Sequence, residues 1–266
     1  RRQRQMCIRD RQLDTKKLFC GCPSLLRQDE PEFKVERKLH AVAGELGEID
    51  AAAEYETKKE LEFVYEGYDT TCLVELDESP PELINEEALK IAMQISLLLN
   101  CKILPVSQIM RKIVIDGSNT SGFQRTVLIA RDGYVETDSG KVGIENISLE
   151  EDSCRIVGKQ NGKVVYRLDR LGIPLVEIGT APDIKTPKQA REVALHIGEI
   201  LRSCKVRRGI GTIRQDVNMS LKGGKRVEIK GVQEPKLIEK TIINEIERQQ
   251  KKNLEKGEVR KAKLDG

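Results

Sequence analysis

Residues 211–231 read GTIRQDVNMSLKGGKRVEIKG. In the first arm Ile213, Val217, Met219 and Leu221 alternate with Arg214, Asp216, Asn218 and Ser220, the period of a strand with one apolar and one polar face. In the second arm Val227 and Ile229 alternate with Arg226, Glu228 and Lys230, and Gly223-Gly224 marks the turn. A two-residue loop would set Asn218 opposite Ile229 and mix the faces. A three-residue loop, Gly223 to Lys225, keeps them apart and predicts Ser220 opposite Glu228 and Asn218 opposite Lys230. The hairpin then presents one polar surface carrying Arg214, Asp216, Asn218, Ser220, Glu228 and Lys230. A solvated face is the ordinary use of such a surface in an antiparallel sheet.

Upstream, RKIVID, RTVLIA, KVGIENISLE, KVVYRLD and IPLVEIG read as further short strands parted by Gly- and Asp-rich turns. Consecutive strands without a helix between each predict an α+β fold with a mainly antiparallel sheet, not a doubly wound one. NEEALKIAMQISLLLN predicts a helix capped by Asn85. Thr186-Pro187 opens a second, with a stripe of Ala190, Val193, Ala194, Ile197, Ile200 and Leu201. A long charged helix is expected from about Lys236 to Gly257. DEPEFKVERKLHAVAGEL suits a helix stopping at Gly44, and TTCLVELDESPPELI a strand followed by a Pro-Pro turn.

The chain of 266 residues has no Trp and a formal net charge of +3. Residues 1–11, RRQRQMCIRDR, hold five Arg and one Asp, leaving 41 basic against 42 acidic residues elsewhere. The body is therefore no general polyanion binder, and a nucleic acid must meet a local patch such as Arg202, Lys205, Arg207 and Arg208. Residues 1–11 show no clear period and read as a disordered arm. They lack the apolar core of a secretory signal. No apolar run approaches the ~18–20 residues of a membrane span. Seven scattered Cys fit reduced thiols and a cytoplasmic location better than a disulfide framework.

No Walker-type or G-x-G-x-x-G phosphate loop is present. The two histidines, His40 and His196, read as packing or surface residues, so a Ser-His-Asp site is unsupported. Cys20-x-Cys22 offers two zinc ligands, but structural zinc wants four and the other Cys are isolated in sequence. Carboxylates carry the stronger signal. Glu177 lies inside the apolar strand GIPLVEIGTAP, where a charge is costly unless paired or bound to a cation. ISLEEDSCRI ends a strand with three acids. If these strands share a sheet, Glu150 or Glu151, Glu177, Asp216 and Glu228 converge, a density that calls for a hard cation. Alternation leaves open which of Glu150 and Glu151 faces the site.

QLDTKKLFCGCPS, CLVELDESPP, MRKIVIDGSNTSGFQRT, ISLEEDSCRI, YRLDRLGIPLVEIGTAPDI, RRGIGTIRQDVNMS and VEIKGVQ resemble the GatB/GatE family of glutamyl-tRNA(Gln) amidotransferases, most closely its archaeal GatE branch, over about residues 12–250. The resemblance implies a glutamine-synthetase-like cradle of antiparallel sheet and flanking helices. It implies an ATP- and Mg²⁺-dependent ligase that phosphorylates the γ-carboxylate of glutamate misacylated on tRNA(Gln). Ammonia from a glutaminase/asparaginase-like partner then displaces the phosphate, within a hetero-oligomer. It implies Glu151 and Glu177 as metal-coordinating carboxylates, with Glu150 the adjacent alternative. Lys112, Glu177 and Asp216 match catalytic positions. Arg111, Ser118, Arg125, Arg214, Asn218, Ser220, Glu228 and Lys230 match the nucleotide side of the site.

Three departures stand out. Where the family carries Gly-Leu-Glu-Ile-His-Gln, this chain has Met6 to Arg11, with Ile8 in place of Glu and Asp10 in place of His. Residues 1–11 are therefore read as a foreign or artefactual segment that does not complete the metal site, and 12–266 as a truncated cradle domain. The family's inserted domain after RQ and its tRNA-gripping helical and tail domains are expected to be missing. The competing expectation is a non-catalytic RNA-binding or scaffolding piece of the same complex.

Overall fold

The computed structural model describes residues 4–38, 62–160, 162–209, 211–221, 226–251 and 260–261. Its larger sheet runs in the order β13 (Arg260–Lys261), β12 (Val227–Lys230), β11 (Ile213–Ser220), β1 (Arg4–Gln12), β10 (Pro174–Thr180), β7 (Gly140–Glu151), β6 (Phe123–Thr137) and β4 (Lys102–Ile103). β5 (Ile109–Ile113) also pairs with β6, and among the described residues of this sheet only the β12–β13 pair is parallel. A smaller sheet of order β2 (Phe33–Lys38), β3 (Glu62–Gly67), β9 (Lys163–Arg167), β8 (Arg155–Gln160) packs its own cluster of Phe63, Tyr65, Tyr166 and Leu168.

Three described helices build the main core: α1 (Glu86–Leu98), α2 (Pro187–Ser203) and α3 (Pro235–Lys251). Asn85 caps α1 by accepting from the Ala88 backbone N–H at 3.0 Å, and Thr186 caps α2 by accepting from Gln189. Their apolar stripes, including Ile95, Val193, Ile197 and Ile238, meet Ile147, Leu149, Val176, Ile178, Val217, Met219 and Ile229 of the sheet. One face of the sheet is thus sealed by helices. The residues alternating with that set are turned to the other face, which is what a period of two demands. The architecture is α+β with a mainly antiparallel sheet, as the strand runs predict.

Four expectations change. Residues 33–38 form a strand, not a helix. Lys34 and Lys38 lie directly across from Glu66 and Glu62 and pair with them at 2.9 and 2.8 Å, so a cross-strand partner from β3 overrides local helix propensity. His40 and Gly44 lie outside the described residues. Residues 72–78 form tight turns rather than a strand. Leu76 N–H reaches back to Cys72 O and Glu78 N–H to Leu73 O, while Glu75 turns inward to the buried Lys17.

The hairpin keeps its faces but not its register. Asn218, not Ser220, stands opposite Glu228, and Val217 stands opposite Ile229. A shift of two residues preserves parity. The open end sets it, where Asp216 accepts from Gly231 N–H at 3.0 Å and Val232 N–H donates to Gln215 O. Residues 222–225, with the predicted Gly223–Lys225 loop, lie outside the described set, as do residues 252–257 of the last predicted helix.

Residues 4–11 are not a loose arm. They are the central strand β1, hydrogen-bonded between β10 and β11. Their side-chain pattern is unusual there. Arg9 and Arg11 occupy the helix-covered side and are 4% and 9% exposed, and the Arg9 guanidinium donates to Ala194 O of α2.

Candidate active site

The polar face is assembled by register. Asp10 lies across from Glu177 on one side and Arg214 on the other. Glu150 lies across from Leu175, two residues from Glu177 on the same face, and across from Thr126. Lys112 lies across from Gln124, two residues from Thr126 and so on that face. Asp216 shares the face with Arg214 two residues away. Gly172, at φ +81°, makes the turn that starts β10 and so positions Glu177.

The electrostatics reflect this crowding. Burial, then Glu177 and Glu150, push the Asp10 carboxyl up to about 8, against the pull of Arg214. Burial and Glu177 push Glu150 up to about 7, with Lys112 opposing. Glu177 is raised chiefly by burial and further by Asp216, again opposed by Lys112. Asp10 Oδ1 is buried without a hydrogen-bond partner. Four carboxylates, Asp10, Glu150, Glu177 and Asp216, therefore share a surface with Lys112 toward one flank and Arg214 toward the other. Among the described residues no three of these carboxylates bring their oxygens within 4.8 Å of one another, so the face is a crowded acidic surface with one open buried oxygen, which a hard divalent cation would have to draw together.

Arg214 is fixed from below. Its Nη2 donates to Asp152 Oδ1 at 2.5 Å, and the fully buried Asp152 also accepts from Gln12 Nε2 at 2.7 Å and from Ser153 N–H at 2.9 Å. Further along the same face Lys230 bridges Asp216 at 3.9 Å and Glu228 at 3.7 Å. Asn218 is buried, and Ser220 ends β11 across from Arg4.

Other expected residues are not brought to this surface. Glu151 is on the opposite face, 6% exposed, where Arg125 holds it through its backbone N–H at 3.3 Å and its guanidinium at 3.2 Å. Arg111 and Arg125 also take that opposite face, stacking on Phe123 with 5.2 Å to the ring centre in each case. They line a separate cleft of about 670 Å³ with Phe19, Ile109 and the loop from Asp77 to Glu82. Ser118 sits in the loop after β5, its carbonyl accepting from Cys154 N–H at 2.8 Å. His196 is exposed on α2. In the basic patch, Lys205 is paired with Glu87 at 2.6 Å and Arg207 donates to Ser24 O.

Cys20 and Cys22, a lone Cys-x-Cys pair in sequence, acquire spatial neighbours. Their Sγ atoms, Cys72 Sγ and a Glu75 carboxylate oxygen lie within 4.8 Å of one another. Cys22 is drawn below the ordinary thiol range mainly by the hydrogen bond from Cys20. Three thiols and a carboxylate are a zinc-type donor set, although Glu75 also pairs with Lys17 and accepts from Cys72 N–H. The sequence reading missed Cys72 and Glu75 because they lie some fifty residues away across a turn. It missed Asp152 although parity with Glu150 points it to the same face; Asp10, expected to stand apart from the site, lies across from Glu177.

The family model described as "GatB/GatE catalytic domain" matches residues 10–264. The chain belongs to the GatB/GatE family. A relative in Methanocaldococcus jannaschii, named as the E subunit of glutamyl-tRNA(Gln) amidotransferase, is 60% identical over 241 residues, 90% of this chain and 38% of that protein. Proteins of the same name in Methanococcus maripaludis (strain C7) and Archaeoglobus fulgidus are each 54% identical over 241 residues, covering 38% and 39% of their lengths. The chain thus spans well under half the length of these relatives. The family match begins at Asp10, inside β1 and at the residue that faces Glu177. Among the described residues no helix is long and apolar enough to cross a membrane.

Proposed function

We propose that this chain is the catalytic domain of an ATP- and Mg²⁺-dependent amidotransferase acting on glutamate esterified to tRNA(Gln), in a cytoplasmic complex with a glutaminase/asparaginase-like partner. A γ-carboxylate oxygen of the glutamate takes the terminal phosphoryl group of ATP, and ADP leaves. Ammonia then attacks the activated carbonyl, phosphate leaves, and the amide of Gln-tRNA(Gln) remains. The observation that supports this most is the convergence of Asp10, Glu150, Glu177 and Asp216 between Lys112 and Arg214 in a chain of this family.

Phosphoryl transfer asks for positioning and charge neutralisation more than for a protein nucleophile. A divalent cation supplies that neutralisation when bound, and carboxylates of this face would hold it after closing in from their present spacing, with Glu150 rather than Glu151 as the contribution of the LEED segment. Lys112 and Arg214 place fixed positive charge where anionic substrate groups arrive. Half-burial of Glu177 and Asp10 keeps the local dielectric low, so each charge acts more strongly than on an open surface.

Binding of a non-hydrolysable ATP analogue tests the reading. It should require Mg²⁺ and collapse in Glu177→Gln. RNA binding that survives Glu177→Gln in a chain that binds no nucleotide would replace this reading with a scaffolding one. The partial engagement of Lys205 and Arg207 by Glu87 and Ser24 weighs against that alternative.

A further inference from the structure

Asp152 is fully buried and holds more than one cation. Arg214 donates to Oδ1 at 2.5 Å, and Arg170 Nε stands 3.7 Å from the same oxygen. Arg170 is itself tied down, its Nε donating to Ser153 O at 2.8 Å and its Nη2 to Cys154 O at 2.8 Å. The other oxygen, Oδ2, is taken by Gln12. One arginine would neutralise Asp152, and hydrogen bonds already satisfy both of its oxygens. Asp10 and Glu150 help to balance Arg214, and Asp169 helps to balance Arg170, so the guanidinium pair has charge to spare for a further anion only when a cation engages the carboxylate cluster.

The geometry says where that anion goes. Arg170 and Arg214 come from different segments, the turn before β10 and strand β11, yet close enough to oppose each other's charge. Their side chains are 26% and 38% exposed, and the donors not spent on Asp152 and the two carbonyls are open to solvent rather than buried. Arg214 is within electrostatic reach of Asp10 and Glu150. The open donors therefore border the carboxylate cluster. Once a cation occupies those carboxylates, Arg214 is released from balancing them.

We propose that Arg170 and Arg214, clamped at fixed spacing by buried Asp152, form an oxyanion-binding fork at the edge of the carboxylate cluster. Its ligand class is a phosphoryl or carboxylate oxyanion, which a planar guanidinium engages through paired N–H donors. Arg170 is the new member and Asp152 its positioning residue. The location of the fork rests on the proposed active site.

The test uses the full chain and two probes, inorganic pyrophosphate and free glutamate, titrated calorimetrically with and without saturating Mg²⁺. Mg²⁺ alone is titrated first, because failure there removes the cation from the carboxylates and leaves the fork to be judged by the oxyanion arms. Wild type should bind at least one probe. Arg170→Gln should weaken it about ten- to hundredfold, the loss of a charged hydrogen-bonded contact of ~1.5–3 kcal/mol. Mg²⁺ affinity should stay near wild type, since Arg214 still neutralises Asp152, while the melting temperature falls modestly with the loss of the bonds to the Ser153 and Cys154 carbonyls. Arg170→Lys, which keeps the charge but not the fork, should fall between and covers the case in which the glutamine variant folds poorly. The arm that responds identifies the oxyanion. Equal binding by wild type and both Arg170 variants overturns the proposal, and so does wild type binding neither probe.

Discussion

Replacing Asp10 by Asn keeps the shape of the side chain and removes its charge from the centre of the sheet. The folded chain raises this carboxyl from the ordinary 3.8 to about 8, through burial first and then Glu177 and Glu150. Between those values the native state holds a proton that the unfolded chain has released. Stability from this group is complete below about pH 4 and is lost as pH rises toward about 8. Each such pH unit is worth about 1.4 kcal/mol, so from about pH 5 to about pH 7 Asp10 alone would cost the wild type roughly 3 kcal/mol. The open polar face and mobile ions screen part of this, and the neighbouring carboxyls share protons, so about 1–3 kcal/mol is the expected loss. Urea unfolding in a chelator at the two pH values measures it. Asp10→Asn should exceed wild type at both pH values, and its advantage should grow by about 1–3 kcal/mol from pH 5 to pH 7. If the two proteins lose stability in parallel, Asp10 is not the crowded group, and the register that sets it against Glu177 is wrong.

Three further outcomes are expected. Glu177→Gln should be no less stable than wild type without metal, because repulsion falls, and should lose the Mg²⁺-dependent rise in melting temperature; a large drop without metal and a full shift with it would make Glu177 a structural ion-pair partner. Ile178→Ala, at a fully buried position in the helix-covered core, should cost about 2–5 kcal/mol in denaturant unfolding. Arg11→Leu should raise stability by about 1–3 kcal/mol, because Arg11 is buried on the helix-covered side beside Arg202 and Arg208 with its Nε unpartnered; a fall in urea midpoint would show instead that its charge is compensated.

Alternation carries most of what can be read without coordinates. Ile213 to Leu221 and Val227 to Ile229 announce strands with one apolar face, and the caps at Asn85 and Thr186 announce helices. These are local effects of side-chain period and orphan backbone donors, written within a few residues. The candidate status of Glu177 and Asp216 follows for the same reason, since a carboxylate within an apolar strand needs a partner.

Tertiary structure decided what depends on partners distant in the chain. Register is one case. Parity confines Asn218 and Glu228 to one face, but shifts of two residues preserve parity, and the contact between Asp216 and Gly231 selects among them. The choice between Glu150 and Glu151 is another, because only pairing with Leu175 and Thr126 shows which of two adjacent carboxylates turns toward Glu177. The role of Phe33–Lys38 as a strand came from charges on β3 that no local window contains. Asp10 came to face Glu177 because β10 and β11 leave a gap that one strand's hydrogen bonds fill, although residues 1–11 carry no apolar alternation of their own. Sequence pattern reports what a segment must bury; which neighbour it is buried against is a property of the whole chain.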